Sequence, residues 1–133
     1  MQMLSLYLST AVVFLALDAA MLKTVIHPLF ERHVGALMAP ELRMAPAAAF
    51  YAAYVAGLIA LVSWPALREG APAQALWQGA LVGAMAYGTY EFTNFATLRG
   101  WNPAMVATDL VWGTVLTGIS AWAGVTITRA IAG

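Results

Sequence analysis

Apolar residues form four long runs along the chain, and short polar stretches separate them. The runs cover residues 4–26, 47–64, 73–98 and 103–130. Each run is near or above the roughly 20 residues that a helix needs to cross a bilayer. Because four spans take up nearly the whole chain, the pattern predicts an all-α membrane protein with a single transmembrane domain over residues 1–133. Any function must therefore lie in the membrane, at its surfaces or in contact with a partner.

A shorter amphipathic stretch follows the first run. Residues 28–39 place apolar side chains on one helical side and the charged pair Glu31 and Arg32 on the other. Pro28 and Pro40 stand where they can start and stop a helix that is too short to span a membrane. The stretch therefore predicts an interfacial amphipathic helix between the first and second transmembrane helices.

The composition agrees with a membrane protein and excludes several classes of function. The chain is 62% hydrophobic and 9% charged, whereas charged residues make up about a quarter of a soluble domain. Its formal net charge is zero and it has no basic run, so we predict no nucleic-acid partner. Cysteine is absent, which excludes disulfides, thiolate metal sites and covalent haem attachment. We predict no cofactor.

The third run carries polar side chains at helical spacing. Five polar positions recur in steps of three and four residues and share one helical face: Tyr87, Tyr90, Glu91, Asn94 and Thr97. At membrane depth, a carboxyl, an amide and two phenols need partners from neighbouring helices. We therefore expect the other helices to be arranged around this face.

Two further acids are predicted to lie at the depth of Glu91, namely Asp18 in the first run and Asp109 in the fourth. Successive spans alternate in direction, so the first and third end where the second and fourth begin. Counted from that side, the three carboxyls lie roughly 7 to 12 Å deep. No intramembrane Lys or Arg is available to neutralise them, so we expect at least one to be protonated. The pattern predicts a shared polar cluster with Tyr54 and Trp112 beside it.

Small residues recur on three of the predicted spans, where they let helix backbones approach one another. The third span has a Gly79-x-x-x-Gly83 step. The stripe of the second span comprises Ala49, Ala53, Gly57 and Ala60, and that of the fourth comprises Gly113, Thr117, Ser120, Gly124 and Thr128. We expect all three sets to be packing surfaces.

Basic residues are distributed unevenly between the two predicted sides. The side of the first and third loops carries Lys23, Arg32, Arg43 and Arg99, and the other side carries Arg68 and Arg129. The positive-inside rule then predicts that both termini lie outside the cytoplasm.

Three segments of the chain resemble a known family. They are Leu17-Asp18, the run AYGTYEFTNFATL at residues 86–98 with Trp101, and DLVWGT at residues 109–114. They are similar to the bacterial membrane family called domain of unknown function 2177, which more often has Asp at the position of Glu91 and Trp at that of Met21. The resemblance covers essentially the whole chain. It implies a small multi-pass protein of the bacterial inner membrane and no particular activity.

These residues support three functional hypotheses. In the first, a buried pocket binds a small hydrophobic or lipid-like molecule or relays protons, and its residues are Asp18, Tyr54, Tyr87, Tyr90, Glu91, Asn94, Asp109 and Trp112. In the second, the protein is an accessory or assembly subunit of a larger membrane complex, and the acids only fix how the helices pack. The third is a lipid-modifying enzyme, although no catalytic motif is present.

The chemistry of the cluster narrows the choice of ligand. Aromatic side chains around acids could cage a cation or stack against a flat ring. Three carboxyls without a helical His pair are a poor set of transition-metal ligands, so we predict no metal site and no catalytic residue. Because four short helices enclose little volume, we expect a transport path to need a homodimer in the lipid bilayer.

Overall fold

Helices account for nearly all of the residues that the structure describes, and no strand occurs among them. The structure is a computed structural model that describes residues 2–38 and 43–132. The α-helices along these residues are α1 (Gln2–Met21), α2 (His27–Val34), α3 (Met44–Leu58), α4 (Trp64–Arg68), α5 (Pro72–Thr97) and α6 (Pro103–Ala132). The predicted all-α class is confirmed.

Two π-helical segments join neighbouring α-helices into longer rods. Leu22–Ile26 connects α1 to α2, and Ile59–Ser63 connects α3 to α4. The backbone N–H that follows each segment donates to the carbonyl of the segment's first residue. Each segment ends just before the residue that precedes a proline, Pro28 or Pro65. A proline ring collides with the carbonyl four residues earlier in a regular α-helix, and the wider π turn relieves that collision.

Because of this accommodation of proline, two predicted boundaries fall inside continuous rods, and the interfacial amphipathic helix stays a prediction. The helix predicted over residues 28–39 does not begin as a separate element at Pro28, because α2 and the 3₁₀ turn Gly35–Leu37 continue from α1. The second predicted span ends at residue 64, whereas its rod continues through α4 to Arg68. Residues 39 and 40, where we expected the amphipathic helix to stop, lie outside the described residues.

Three rods are long and apolar enough to cross a membrane, namely Gln2–Leu37, Met44–Arg68 and Pro103–Ile131. α5 is also long enough, at 26 residues. It is less apolar than the three rods, because it includes two glutamines, a glutamate and an asparagine. A protein with several membrane-length apolar helices is thus confirmed. The fourth span, on α5, stays a prediction.

α6 is the central helix of the bundle, because α1 and α5 both pack along it. On the α5 side, Gly79 lies against Thr117 and Gly118, and Gly83 lies against Gly113. A Cβ atom added at Gly83 would collide with the Gly113 carbonyl. The order of these contacts makes α5 and α6 antiparallel, and the packing role predicted for the two α5 glycines is confirmed.

On the α1 side, α6 packs through the rest of its small-residue stripe. Gly124 lies against Leu6 and Thr10, and the hydroxyl oxygens of Ser5 and Thr128 are 3.4 Å apart. The five positions predicted to form this packing surface are all buried: Gly113, Thr117, Ser120, Gly124 and Thr128. α1 therefore also runs antiparallel to α6.

The small-residue stripe of the second rod does not pack against the bundle, and that prediction is wrong. A Cβ atom added at Gly57 would meet nothing within 4 Å, and the stripe's alanines, Ala49, Ala53 and Ala60, are exposed. The rod instead buries Val55, Leu58 and Val62 in a core that includes Leu6. Both sides of this helix are apolar, so hydropathy does not select the packing face; the shape of the neighbouring helices does.

Candidate functional site

A cavity of about 530 Å³ is lined by residues from around the junction of α1 and α2, from α3, and from α5 and α6. Part of its wall is apolar, with Leu22, Ile26, Phe30 and Phe50. The rest is polar and includes Asp18, Tyr51, Tyr54, Tyr87, Tyr90 and Asp109. Its volume falls within the range of about 300 to 1,000 Å³ that is usual for small-molecule sites, which combine apolar walls with a few convergent polar groups.

A second cavity, of about 750 Å³, lies between α1 and α3. It shares Asp18, Leu22, His27 and Tyr51 with the first cavity. The remaining wall is mainly alanine and other apolar side chains. The two cavities therefore adjoin along one stretch of α1, so that an apolar space flanks the polar one.

Asp18 is held by a donor from α6. Its side chain is buried, and the Trp112 Nε1–H donates to its Oδ1 across 3.0 Å. The Tyr51 phenol lies near the same carboxyl and interacts with it electrostatically. The hydrogen bond to Trp112 therefore ties α1 to α6, with the α3 phenol beside it.

Glu91 is held at one oxygen by the link between α5 and α6. The chain reverses at Gly100, whose φ of +82° is in the region that favours glycine, and the Asn102 side chain then caps α6 by accepting from the Met105 N–H at 3.1 Å. This reversal brings the Trp101 indole back to Glu91, where Nε1–H donates to Oε1 across 2.9 Å.

The other oxygen of Glu91, Oε2, is buried without a hydrogen-bond donor among the described residues. The whole Glu91 side chain is fully buried. The Glu91 carboxyl also interacts electrostatically with the side chain of Asp109. Two carboxyls can form a hydrogen bond only when one is protonated. Among the described residues, no group of three or more His, Asp or Glu side chains is placed to hold a metal ion.

Aromatic rings connect the acids across the cavity. The Tyr54 hydroxyl lies 3.0 Å from the Thr117 hydroxyl, and the rings of Tyr54 and Tyr87 are 6.5 Å apart. Tyr87 packs directly on Gly113, where any Cβ atom would overlap its ring. The glycine of α6 thus makes the space that the α5 phenol occupies. Tyr90, about half exposed, stands edge-on to Trp101.

The structure brings most of the predicted residues to this place. Five line the cavity: Asp18, Tyr54, Tyr87, Tyr90 and Asp109. Glu91 interacts with Asp109, Trp112 donates to Asp18, and Asn94 lies near Tyr90, one turn away on the same helix. Thr97, which we expected on the same face, instead donates to the Thr93 carbonyl of its own helix.

Trp101 was not among the predicted site residues, yet its indole N–H donates to Glu91. Trp101 lies beyond the end of α5, in a position that is typical of an interfacial aromatic residue. The Arg99-Gly100 pair before it was the available signal, because a glycine just after a helix allows the chain to reverse.

The comparisons with known proteins agree with the helical membrane architecture. A family model described as "Predicted membrane protein (DUF2177)" matches residues 3–126. No curated protein and no solved structure matches the chain significantly. The family match covers the residues that line the cavity and all three buried acids, and the chain therefore belongs to the DUF2177 family of predicted membrane proteins.

Proposed function

We propose that this protein binds a small hydrophobic or lipid-like molecule in the cavity of about 530 Å³ between its helices. The observation that supports the proposal is that the cavity wall has one apolar part and one polar part. Leu22, Ile26 and Phe30 offer apolar surface on one part, while acids and phenols converge on the other. A molecule with an apolar body and a polar end matches such a wall, and the apolar space beside it gives the body somewhere to extend.

The proposed site lies among membrane helices, and we propose that α5 is the fourth of them. α5 packs along α6 over most of its length, and α6 is long and apolar enough to span. Because α5 has 26 residues and runs antiparallel beside α6, it would cross the membrane next to α6. We further propose that the protein resides in a bacterial inner membrane with both termini on the non-cytoplasmic side.

Ligand retention tests the proposed function. Native mass spectrometry of protein extracted gently from its own membrane should show one small molecule or lipid retained per chain. Ala86 lines the cavity, so Ala86→Trp should fill it and abolish retention. Ala96 is exposed on the same helix, so Ala96→Trp is the matched control and should retain the molecule. A wild-type protein that emerges empty and bound to other polypeptides would favour an accessory subunit instead.

A second candidate function is proton handling, which the contact between Glu91 and Asp109 favours. Two adjoining carboxyls readily hold one proton between them, and such pairs occur in membrane proton relays. A role of this kind predicts a proton flux in proteoliposomes that Glu91→Gln abolishes. A flux that Glu91→Gln leaves unchanged would exclude it.

A further inference from the structure

The three buried acids differ in what the protein provides for them. Asp18 receives the indole N–H of Trp112, and the Tyr51 phenol lies near it. Glu91 receives the indole N–H of Trp101 at one oxygen. Asp109 is 7% exposed and lines the cavity, and the groups that act on it among the described residues are the carboxyls of Glu91 and Asp18. It is therefore a buried acid that lines the cavity and that, apart from the neighbouring Glu91 carboxyl, has no donor or cation among the described residues.

No lysine or arginine among the described residues lines this cavity. The basic side chain in its wall is His27, which is about half exposed and lies 3.9 Å from Glu31 on the same rod. Lys23 borders the neighbouring cavity and is exposed. The polar part of the cavity wall thus has more acidic side chains than basic ones. Buried acids without a partner are costly, so a ligand that brings positive charge would stabilise them.

Aromatic rings surround the same space. Phe50, Tyr51, Tyr54 and Tyr87 line the cavity, and the rings of Phe50 and Tyr54 stack with centroids 5.7 Å apart. Aromatic faces attract cations, and the attraction is stronger where water is excluded. The cavity therefore combines aromatic ring faces with acidic groups that no basic side chain of its wall neutralises. This combination favours a bulky, poorly hydrated cation over a small, strongly hydrated one.

We propose that the ligand of this cavity is a lipophilic organic cation, such as an amine or quaternary onium compound with an apolar body, and that Asp109 neutralises its charge. This inference rests on the proposed function, because it specifies which hydrophobic molecules the site takes. Glu91 is a positioning residue, since it lies behind Asp109 and is held there by Trp101.

A pair of ions of nearly equal size and opposite charge tests the inference on the unmodified protein. The full chain in phosphatidylcholine nanodiscs is dialysed against tetraphenylphosphonium or against tetraphenylborate, with empty nanodiscs as the partition control. We expect saturable binding of one tetraphenylphosphonium per chain and no saturable binding of tetraphenylborate. Equal binding of the two ions would overturn the cation inference and leave the proposed function standing.

Charge-neutral variants locate the site. Asp109→Asn keeps the side chain's shape, and it should weaken tetraphenylphosphonium binding about 30-fold or more, as expected for loss of a buried ionic partner. Glu69→Gln removes one negative charge at an exposed turn and should leave binding unchanged. An equal loss in both variants would show that net charge, not Asp109, attracts the ion. If neither ion binds the wild type, the cation inference fails, and the Ala86→Trp retention experiment alone decides the proposed function.

Discussion

Asp18 shows how single residues keep a carboxyl inside an apolar bundle. An ionised acid near the centre of a membrane helix costs about 2.5 to 3.5 kcal/mol on insertion scales. Here the acid receives the indole N–H of Trp112 from α6, and the Tyr51 phenol of α3 lies near it. Charge-assisted hydrogen bonds of this kind are stronger than those between neutral groups. The side chain that looks most out of place in α1 is therefore a point where three helices meet.

This contact gives a prediction at the scale of the residue. Trp112→Phe removes the N–H from Asp18 and leaves the ring, so it should lower the free energy of unfolding by about 1 to 3 kcal/mol. Trp77→Phe, at a tryptophan that is 60% exposed, is the control and should have little effect. Denaturant titration in detergent measures both. The double variant Asp18→Leu/Trp112→Phe should regain stability, because no buried acid is then left short of a donor. Equal losses in the two single variants would contradict this account.

At the scale of the element, helix contacts are decided by where backbones come close. α5 and α6 approach through Gly83 and Gly113, and the latter also receives the Tyr87 ring. The rod of α3 and α4 has a comparable glycine at Gly57, yet that position is open. The same residue type therefore has opposite consequences in two helices of one bundle.

A pair of alanine substitutions measures this difference. Gly83→Ala should lower the free energy of unfolding by about 1 to 3 kcal/mol, because its Cβ atom must displace the backbone of α6. Gly57→Ala meets no neighbour, so it should be neutral or should stabilise the protein by up to about 1 kcal/mol through helix propensity. Thermal unfolding of the two variants in the same detergent would detect the contrast. Similar destabilisation by both would show that α3 packs differently.

At the scale of the whole molecule, the number of membrane crossings sets which loops share a side. The turn between α4 and α5 contains Glu69, and the link between α5 and α6 begins at Leu98. If α5 crosses the membrane, these two positions lie on opposite sides. If both termini lie outside the cytoplasm, the turn of Glu69 is on the outer side with them.

The absence of cysteine makes this topology directly testable. Glu69→Cys and Leu98→Cys each introduce one thiol into a chain that has none, and neither changes a basic residue. A membrane-impermeant maleimide should label Glu69→Cys in intact cells and should label Leu98→Cys only after permeabilisation. Labelling of both in intact cells would show that α5 does not cross. The reverse pattern would keep four spans and invert the orientation.

Much of the fold and of the candidate site follows from local properties that a sequence displays. Membrane-length apolar runs determine that the chain is helical, because a backbone in lipid must satisfy its hydrogen bonds within each segment. Spacing along α5 and an alternating topology are enough to bring Asp18, Glu91 and Asp109 into one region, since buried acids avoid isolation in lipid. The glycines of α5 could be read as packing residues for a similarly local reason.

The tertiary structure decided what depends on relative position. Hydropathy treats Gly57 and Gly83 alike, and only the approach of α6 separates them. Proline suggested ends for the first two rods, but the backbone widened into π turns and continued. Whether a buried acid has a hydrogen-bond donor depends on a side chain that is distant in the sequence and that the fold brings next to it. Trp112 reaches Asp18 and Trp101 returns to Glu91, while Asp109 is left facing a cavity that only the assembled helices enclose.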